Sequence, residues 1–163
     1  MSVLQVLNRQ KVRTFDLHFL RRIARALLEE LLGRKHYELG VHLVCAHEIT
    51  ALNETFLGHQ GSTDVISFNH GEGRGAEMLH GEIFICVDEA LAQARRFRVS
   101  WQAEASRYLI HGLLHLEGCD DAEPLLRRAM KRRENNLLKE LSRRFDLSKL
   151  SRQKQSVGSH ERR

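Results

Sequence analysis

The segment 111–121, HGLLHLEGCDD, concentrates more chemistry than any other stretch of the chain. His111 and His115 stand four residues apart in a run with helical spacing, which puts both imidazoles on one helix face with Cβ atoms about 5–6 Å apart. Two imidazoles so placed can share one ion through Zn–N bonds of about 2.0–2.1 Å. Gly118 can take the left-handed conformation that ends a helix and turns the chain back. Asp121 then comes within reach as a third ligand, through a carboxylate oxygen that binds zinc at about 2.0–2.2 Å. Three protein ligands leave a fourth position for water, the pattern of catalytic rather than structural zinc. Two histidines at this spacing also arise by chance on a leucine-bordered helix; the glycine and carboxylate that follow favour the metal. Either Asp120 or Asp121 can cap the next helix while the other binds. Cys119 reads as a small residue packed beside the site.

The same histidine and glycine spacing occurs in metzincin peptidases, which place a glutamate directly after the first histidine as general base. That position is Gly112 here, which disfavours peptide hydrolysis. The base is then another group, with Glu117 and Asp120 as candidates, or zinc-activated water with its pKa lowered towards about 7.

The elements that must position these residues follow from periodicity. Residues 2–8 alternate loosely as a first strand, and apolar residues at 3–4 spacing from Phe15 to Leu32 make an amphipathic helix ended by Gly33. Residues 39–46 read as a strand, 48–57 as a helix ending at Gly58, 63–68 as a β-rich run and 81–87 as a fourth strand. The glycine-rich segment 69–78 reads as a loop. Asp88 is placed to cap a helix through Phe97, and Ser100 to cap the next, which runs from Trp101 towards Leu116. Pro124 opens a long basic helix to about Phe145, with Leu126, Met130, Leu137, Leu141 and Phe145 as its core face. This order predicts an α+β fold in one domain, residues 1–145, followed by a basic, disordered tail at 146–163.

The 163 residues suffice for one core without disulfides, and three widely spaced cysteines suit a reducing cytoplasm. No run approaches the roughly 18 apolar residues of a membrane span. The net charge of +5 is unevenly placed. Residues 1–124 hold 13 basic and 17 acidic side chains, whereas 125–163 hold 13 and 4, a distribution that suits phosphate attraction beyond the metal segment.

HGLLHLEGCDD resembles the HGxLHLxGxDH signature of the YbeY-type endoribonucleases, also called rRNA maturation factors. LNETF at 52–56 with TDVISF at 63–68, HGEIFIC at 80–86, and Met130 with Glu134, Leu137 and Leu138 are similar to further family segments in order and spacing. The resemblance covers about residues 1–145. It implies a small mixed four-stranded sheet packed with about five helices, one zinc ion at the end of a helix, and hydrolysis of single-stranded RNA. The substrate implied is 16S rRNA during 3′-end maturation and ribosome quality control, with the small ribosomal subunit or its assembly proteins as partners. It also places Thr63, Asp64 and Ser67 near the cleft; His80, just before the Gly81–Glu82 strand start, is a candidate for an additional polar group, although a lone histidine is more often structural. Two positions depart from the pattern: Asp121 stands where the family has histidine, and Leu57 where it has arginine. Arg74 and Arg107 are candidates to replace that arginine, and Arg127, Arg128 and Lys131 extend the RNA-binding set. A ribosome-assembly factor that binds rRNA with little or no catalysis is the alternative that Leu57 suggests.

Overall fold

Strands form where β-branched and aromatic residues line pleated surfaces. The computed structural model describes residues 2–71 and 77–152 and holds four strands: β1 (Ser2–Asn8), β2 (His36–Val44), β3 (Val65–Asn69) and β4 (Met78–Cys86). They join in the order β1-β2-β4-β3, with β1, β2 and β4 mutually parallel and β3 antiparallel to β4. Five α-helices complete the fold: α1 (Leu17–Arg25), α2 (Ala46–Leu57), α3 (Val87–Phe97), α4 (Trp101–Leu116) and α5 (Pro124–Arg144). The architecture is the α+β mixed sheet expected. None of the described helices is long and apolar enough to cross a membrane.

Alternation along β2 and β4 sorts side chains to two faces. Leu39, Val41, Leu43, Ile83 and Ile85 point into the main core, where Ile23 of α1 and Leu109 and Leu113 of α4 meet them. Val44, Phe84 and Cys86 face the other way, and Ile49 of α2 covers them in a smaller cluster. Two glycines fix how closely α4 sits on β4. A Cβ at Gly112 would lie 2.7 Å from Ile83 Cγ2, and one at Gly81 would lie 2.7 Å from Leu116 Cδ2. The 112/116 edge of α4 is therefore pressed onto the strand. Residues 111 and 115, about 100° round the helix, fall on its flank.

Several boundaries differ from the sequence expectation. The stretch read as one helix over 15–32 is α1 followed by a π-helical turn, Ala26–Leu31, in which the Leu32 N–H reaches the Leu27 carbonyl. Asp88 does not cap α3, because β4 runs straight into that helix and places Asp88 in its first turn. Its carboxylate instead accepts from the Ala46 N–H at 2.6 Å, capping α2. Ser100 caps α4 as expected, accepting from the Ala103 N–H. Leu126 is 44% exposed, since the first turn of α5 projects past the core that Met130 and Leu141 enter.

The expected domain end at 145 falls too early, and disorder does not extend over 146–152. Leu147–Leu150 form a 3-10 turn capped by Asp146, Leu150 is fully buried, and the Asp16 N–H donates to the Leu150 carbonyl. Two leucines three residues apart on a tight turn give this short segment apolar area that the polar average over 146–163 conceals. Residues 153–163 lie outside the described residues, as does Arg74 in the glycine-rich loop.

Candidate metal centre

The centre is built where α4 ends. Glu117 closes the helix, Gly118 takes φ +97°, and the N–H groups of Gly118 and Cys119 fold back onto the His115 and Leu114 carbonyls. A residue with a Cβ is strained at that φ, so the glycine sets the reversal. The returning chain brings Asp121 Oδ2 to 3.5 Å from His115 Nε2 and 3.8 Å from His111 Nε2. The two Nε2 atoms are 3.1 Å apart. All three residues are half-buried, and among the described residues they form the one group of His, Cys, Asp or Glu side chains suited to hold a metal.

The hydrogen bonds on the outer ring nitrogens fix what those atoms are. His115 Nδ1 donates to the Cys119 carbonyl at 3.1 Å, and His111 Nδ1 donates to Glu134 Oε2 at 2.9 Å. Each acceptor takes the proton on Nδ1, so in the neutral imidazoles both Nε2 atoms present lone pairs to one another and to the Asp121 carboxylate. With both imidazoles neutral, three electron-pair donors converge, an arrangement that a cation, whether a metal ion or a proton shared with Asp121, relieves. Their separations of 3.1–3.8 Å bracket the roughly 3.3 Å edge of a tetrahedron with bonds of about 2.0–2.1 Å. The donor set, two imidazoles and one carboxylate, fits a divalent transition metal.

Glu134, on α5 and 3% exposed, is the group behind His111. Burial alone raises its pKa, but hydrogen bonds from His111 and Arg107 and the charge of Lys131 outweigh this and hold it down to about 2. Arg107 reaches Glu134 Oε1 at 2.8 Å and Asn135 Oδ1 at 2.7 Å, and Lys131 Nζ lies 3.2 Å from Glu134 Oε1. In return, burial lowers the His111 pKa, but the hydrogen bond to Glu134 and the charges of Glu134, Asp64 and Asp121 outweigh it, for a net upward shift. Sequence spacing had linked Glu134 only to a helix pattern. The available signal was an acid on the stripe running from Met130 to Leu141, which the core otherwise keeps apolar.

The centre opens into a cleft of about 470 Å³ between α3, α4 and α5, lined in part by Arg107, Arg127, Arg128 and Lys131. Those four expected RNA-binding residues therefore share one cavity with His111 and Asp121. Asp64 also lines it, whereas Thr63 and Ser67 do not. Glu117 lies away from the cleft, with its carboxylate engaged by Arg34. Asp120 is exposed beside the centre, and its Oδ1 accepts from the Ala122 N–H at 2.9 Å. His80 pairs with Glu38 on the opposite sheet face, and Leu57 sits exposed at the end of α2, outside the lining. The Cys119 thiol accepts from Arg133 at 3.4 Å.

Fold and site together define an α+β domain with two histidines and one carboxylate suited to hold a metal, in a cleft lined by both cationic and acidic side chains. The family model for endoribonuclease YbeY matches residues 5–142, and the chain belongs to that family. Endoribonuclease YbeY of Chlorobaculum tepidum is 38% identical over 136 residues, covering 83% of this chain and 95% of that protein. The namesake from an Anaeromyxobacter species is 42% identical over 106 residues, which are 65% of this chain and 55% of the relative's length. Among solved structures, TM1509 from Thermotoga maritima has the same fold, with a TM-score of 0.62 at 24% identity over 94% of this chain and 99% of that one.

Proposed function

We propose that this protein is a zinc-dependent, single-strand-specific endoribonuclease of the cytoplasm. Its substrate on this reading is 16S rRNA, cut during 3′-end maturation and quality control of the small ribosomal subunit. The observation that carries the proposal is the convergence of His111 Nε2, His115 Nε2 and Asp121 Oδ2 at one end of a cleft walled by Arg127, Arg128 and Lys131. The names of the relatives support RNA as the substrate, and the HGLLHLEGCDD resemblance supports the ribosomal role.

His111, His115 and Asp121 would hold one zinc ion. When bound, the ion supplies Lewis acidity that lowers the pKa of water and polarises a phosphodiester oxygen. Arg127, Arg128 and Lys131 are exposed on α5 and attract the phosphate backbone without reading its sequence. Arg107 acts differently: its guanidinium holds Glu134, and Glu134 holds His111 in the tautomer that points a lone pair into the centre. Of the two candidate acids, Asp120 keeps one carboxylate oxygen available to carry a proton, while Glu117 is committed to Arg34.

The purified protein is expected to contain about one zinc per chain and to cut single-stranded RNA, with His111→Ala losing both. Undiminished cleavage by metal-stripped protein would overturn the proposal. A second reading, an rRNA-binding assembly factor with little catalysis, is favoured by Leu57, which leaves the end of α2 without the family's cation. Cleavage by wild type and none by Asp121→Ala decides against it.

A further inference from the structure

We infer that Phe97, at the end of α3, is a stacking platform for a nucleobase of the single-stranded RNA whose phosphates α5 binds. The inference rests on the nuclease reading and adds a base-recognition element to the cleft that the phosphate-binding side chains of α5 line.

Phe97 is 62% exposed, an unfavourable position for a large apolar ring. Single exposed apolar residues are common on proteins, so exposure alone says little. Its location says more: Phe97 lines the cleft that contains His111 and Asp121, with Arg127, Arg128 and Lys131 among the other lining residues. Of the large apolar side chains that stand exposed among the described residues, Phe97 is the one that lines this cleft; Leu7, Phe56, Leu57, Val99, Leu125 and Leu126 do not.

The ring is held at the helix end. Arg98 takes φ +54°, its N–H donates to the Ala94 carbonyl, and the Val99 N–H reaches the same carbonyl at 3.0 Å. Phe97 is thus the last residue of a capped helix rather than part of a loose loop. The Arg96 guanidinium lies over the ring, 5.5 Å from its centroid, and engages one face, so a base would stack on the other. One turn back, Gln93 lines the same cleft, and its amide makes no hydrogen bond among the described residues. An aromatic face, a nearby amide and a cationic wall are the parts used to bind single strands. The wall holds phosphates, the ring stacks an unpaired base, and an amide can meet the base edge. A duplex keeps its bases stacked on one another and offers no such face, so the arrangement also favours single-stranded substrate.

The test uses the zinc-loaded full chain and a cleavage-resistant 2′-O-methyl single-stranded oligonucleotide carrying 2-aminopurine. Wild type is expected to bind it and quench the 2-aminopurine fluorescence by stacking. Phe97→Ala should weaken binding roughly tenfold and abolish the quenching, and Phe97→Tyr should restore both. Arg128→Ala should weaken binding while preserving quenching in the bound state. The exposure of Phe97 leaves the fold intact in Phe97→Ala, which circular dichroism checks. Unchanged affinity and quenching in Phe97→Ala overturns the stacking role while leaving the nuclease reading standing if unmodified RNA is still cut. Absence of binding by wild type overturns the stacking role as well. Wild-type binding and stacking without cleavage of unmodified RNA overturns the nuclease reading alone.

Discussion

Two groups of histidines and carboxylates lie on opposite sides of the sheet, and they have opposite electrostatic character. At the end of α4, His111 and His115 spend their Nδ1 protons on Glu134 and the Cys119 carbonyl and turn bare Nε2 atoms towards Asp121. On the face of β2 and β4 beyond α2, His42 Nε2 and His70 Nε2 sit 3.0 and 2.9 Å from the two oxygens of Glu82. There the imidazoles act as donors and the carboxylate is shared between them. His42 stacks flat on Phe84, with ring centroids 4.2 Å apart, and among the described residues its buried Nδ1 has no hydrogen-bond partner. Neutral imidazoles that converge lone pair to lone pair call for a cation; donors and acceptors that already pair do not. Residue content is similar in the two groups, and the destination of each imidazole proton separates them.

The largest effect should come from removing a converging donor. His111→Ala or His115→Ala should take zinc content from about one per chain to near zero by elemental analysis, and RNA cleavage with it, while His42→Ala should leave the zinc unchanged. Zinc retained in His111→Ala, or lost in His42→Ala, would erase the distinction between the groups. Next in size is Glu134→Gln, which keeps the shape but weakens the acceptor that fixes the His111 tautomer. Metal affinity measured by chelator competition should fall about 10- to 100-fold.

A third change acts through packing. Gly112→Ala would push a Cβ against Ile83 and should destabilise the fold by about 1–3 kcal/mol in denaturant titration, with Ile83→Ala in the same chain recovering part of the loss. The smallest effect concerns Glu82. The hydrogen bond from His70 lowers its pKa, burial opposes this, and His42 lowers it further, for a net downward shift. In the range below the ordinary carboxylate pKa, the unfolded chain therefore binds more protons than the folded one. The contribution is full at neutral pH and is lost as pH falls through the folded-state value. The side chain is 39% exposed, so Glu82→Gln should cost no more than about 1 kcal/mol at pH 7 and flatten the acid limb of the stability profile.

Local pattern exposed much of this arrangement. The spacing of His111, His115, Gly118 and Asp121 lies within eleven residues, so helix geometry and one left-handed turn suffice to bring the three donors together. Strand and helix periods likewise marked all four strands and the five helices, because side-chain alternation and helical spacing follow from backbone geometry one segment at a time. What local pattern missed were partners distant in sequence. Glu134 is 23 residues from His111, Asp88 caps a helix 42 residues earlier, and Leu150 fills the main core while its carbonyl is tied to Asp16 near the start of the chain. Glu117 stands beside the signature in sequence, yet its carboxylate turns to Arg34, 83 residues away.

The sequence by itself determined which donors can meet, since His111, His115 and Asp121 sit on one helix and its turn. Only the tertiary structure decided that their Nε2 atoms face inward, that the basic helix α5 walls the same cleft, and that Phe97 lines it too. The physical reason is that a side chain's proton and charge are set by whatever packs against it. For these residues, much of that comes from other elements pressed onto α4 through Gly112 and Ile83 on one side and Glu134 on the other.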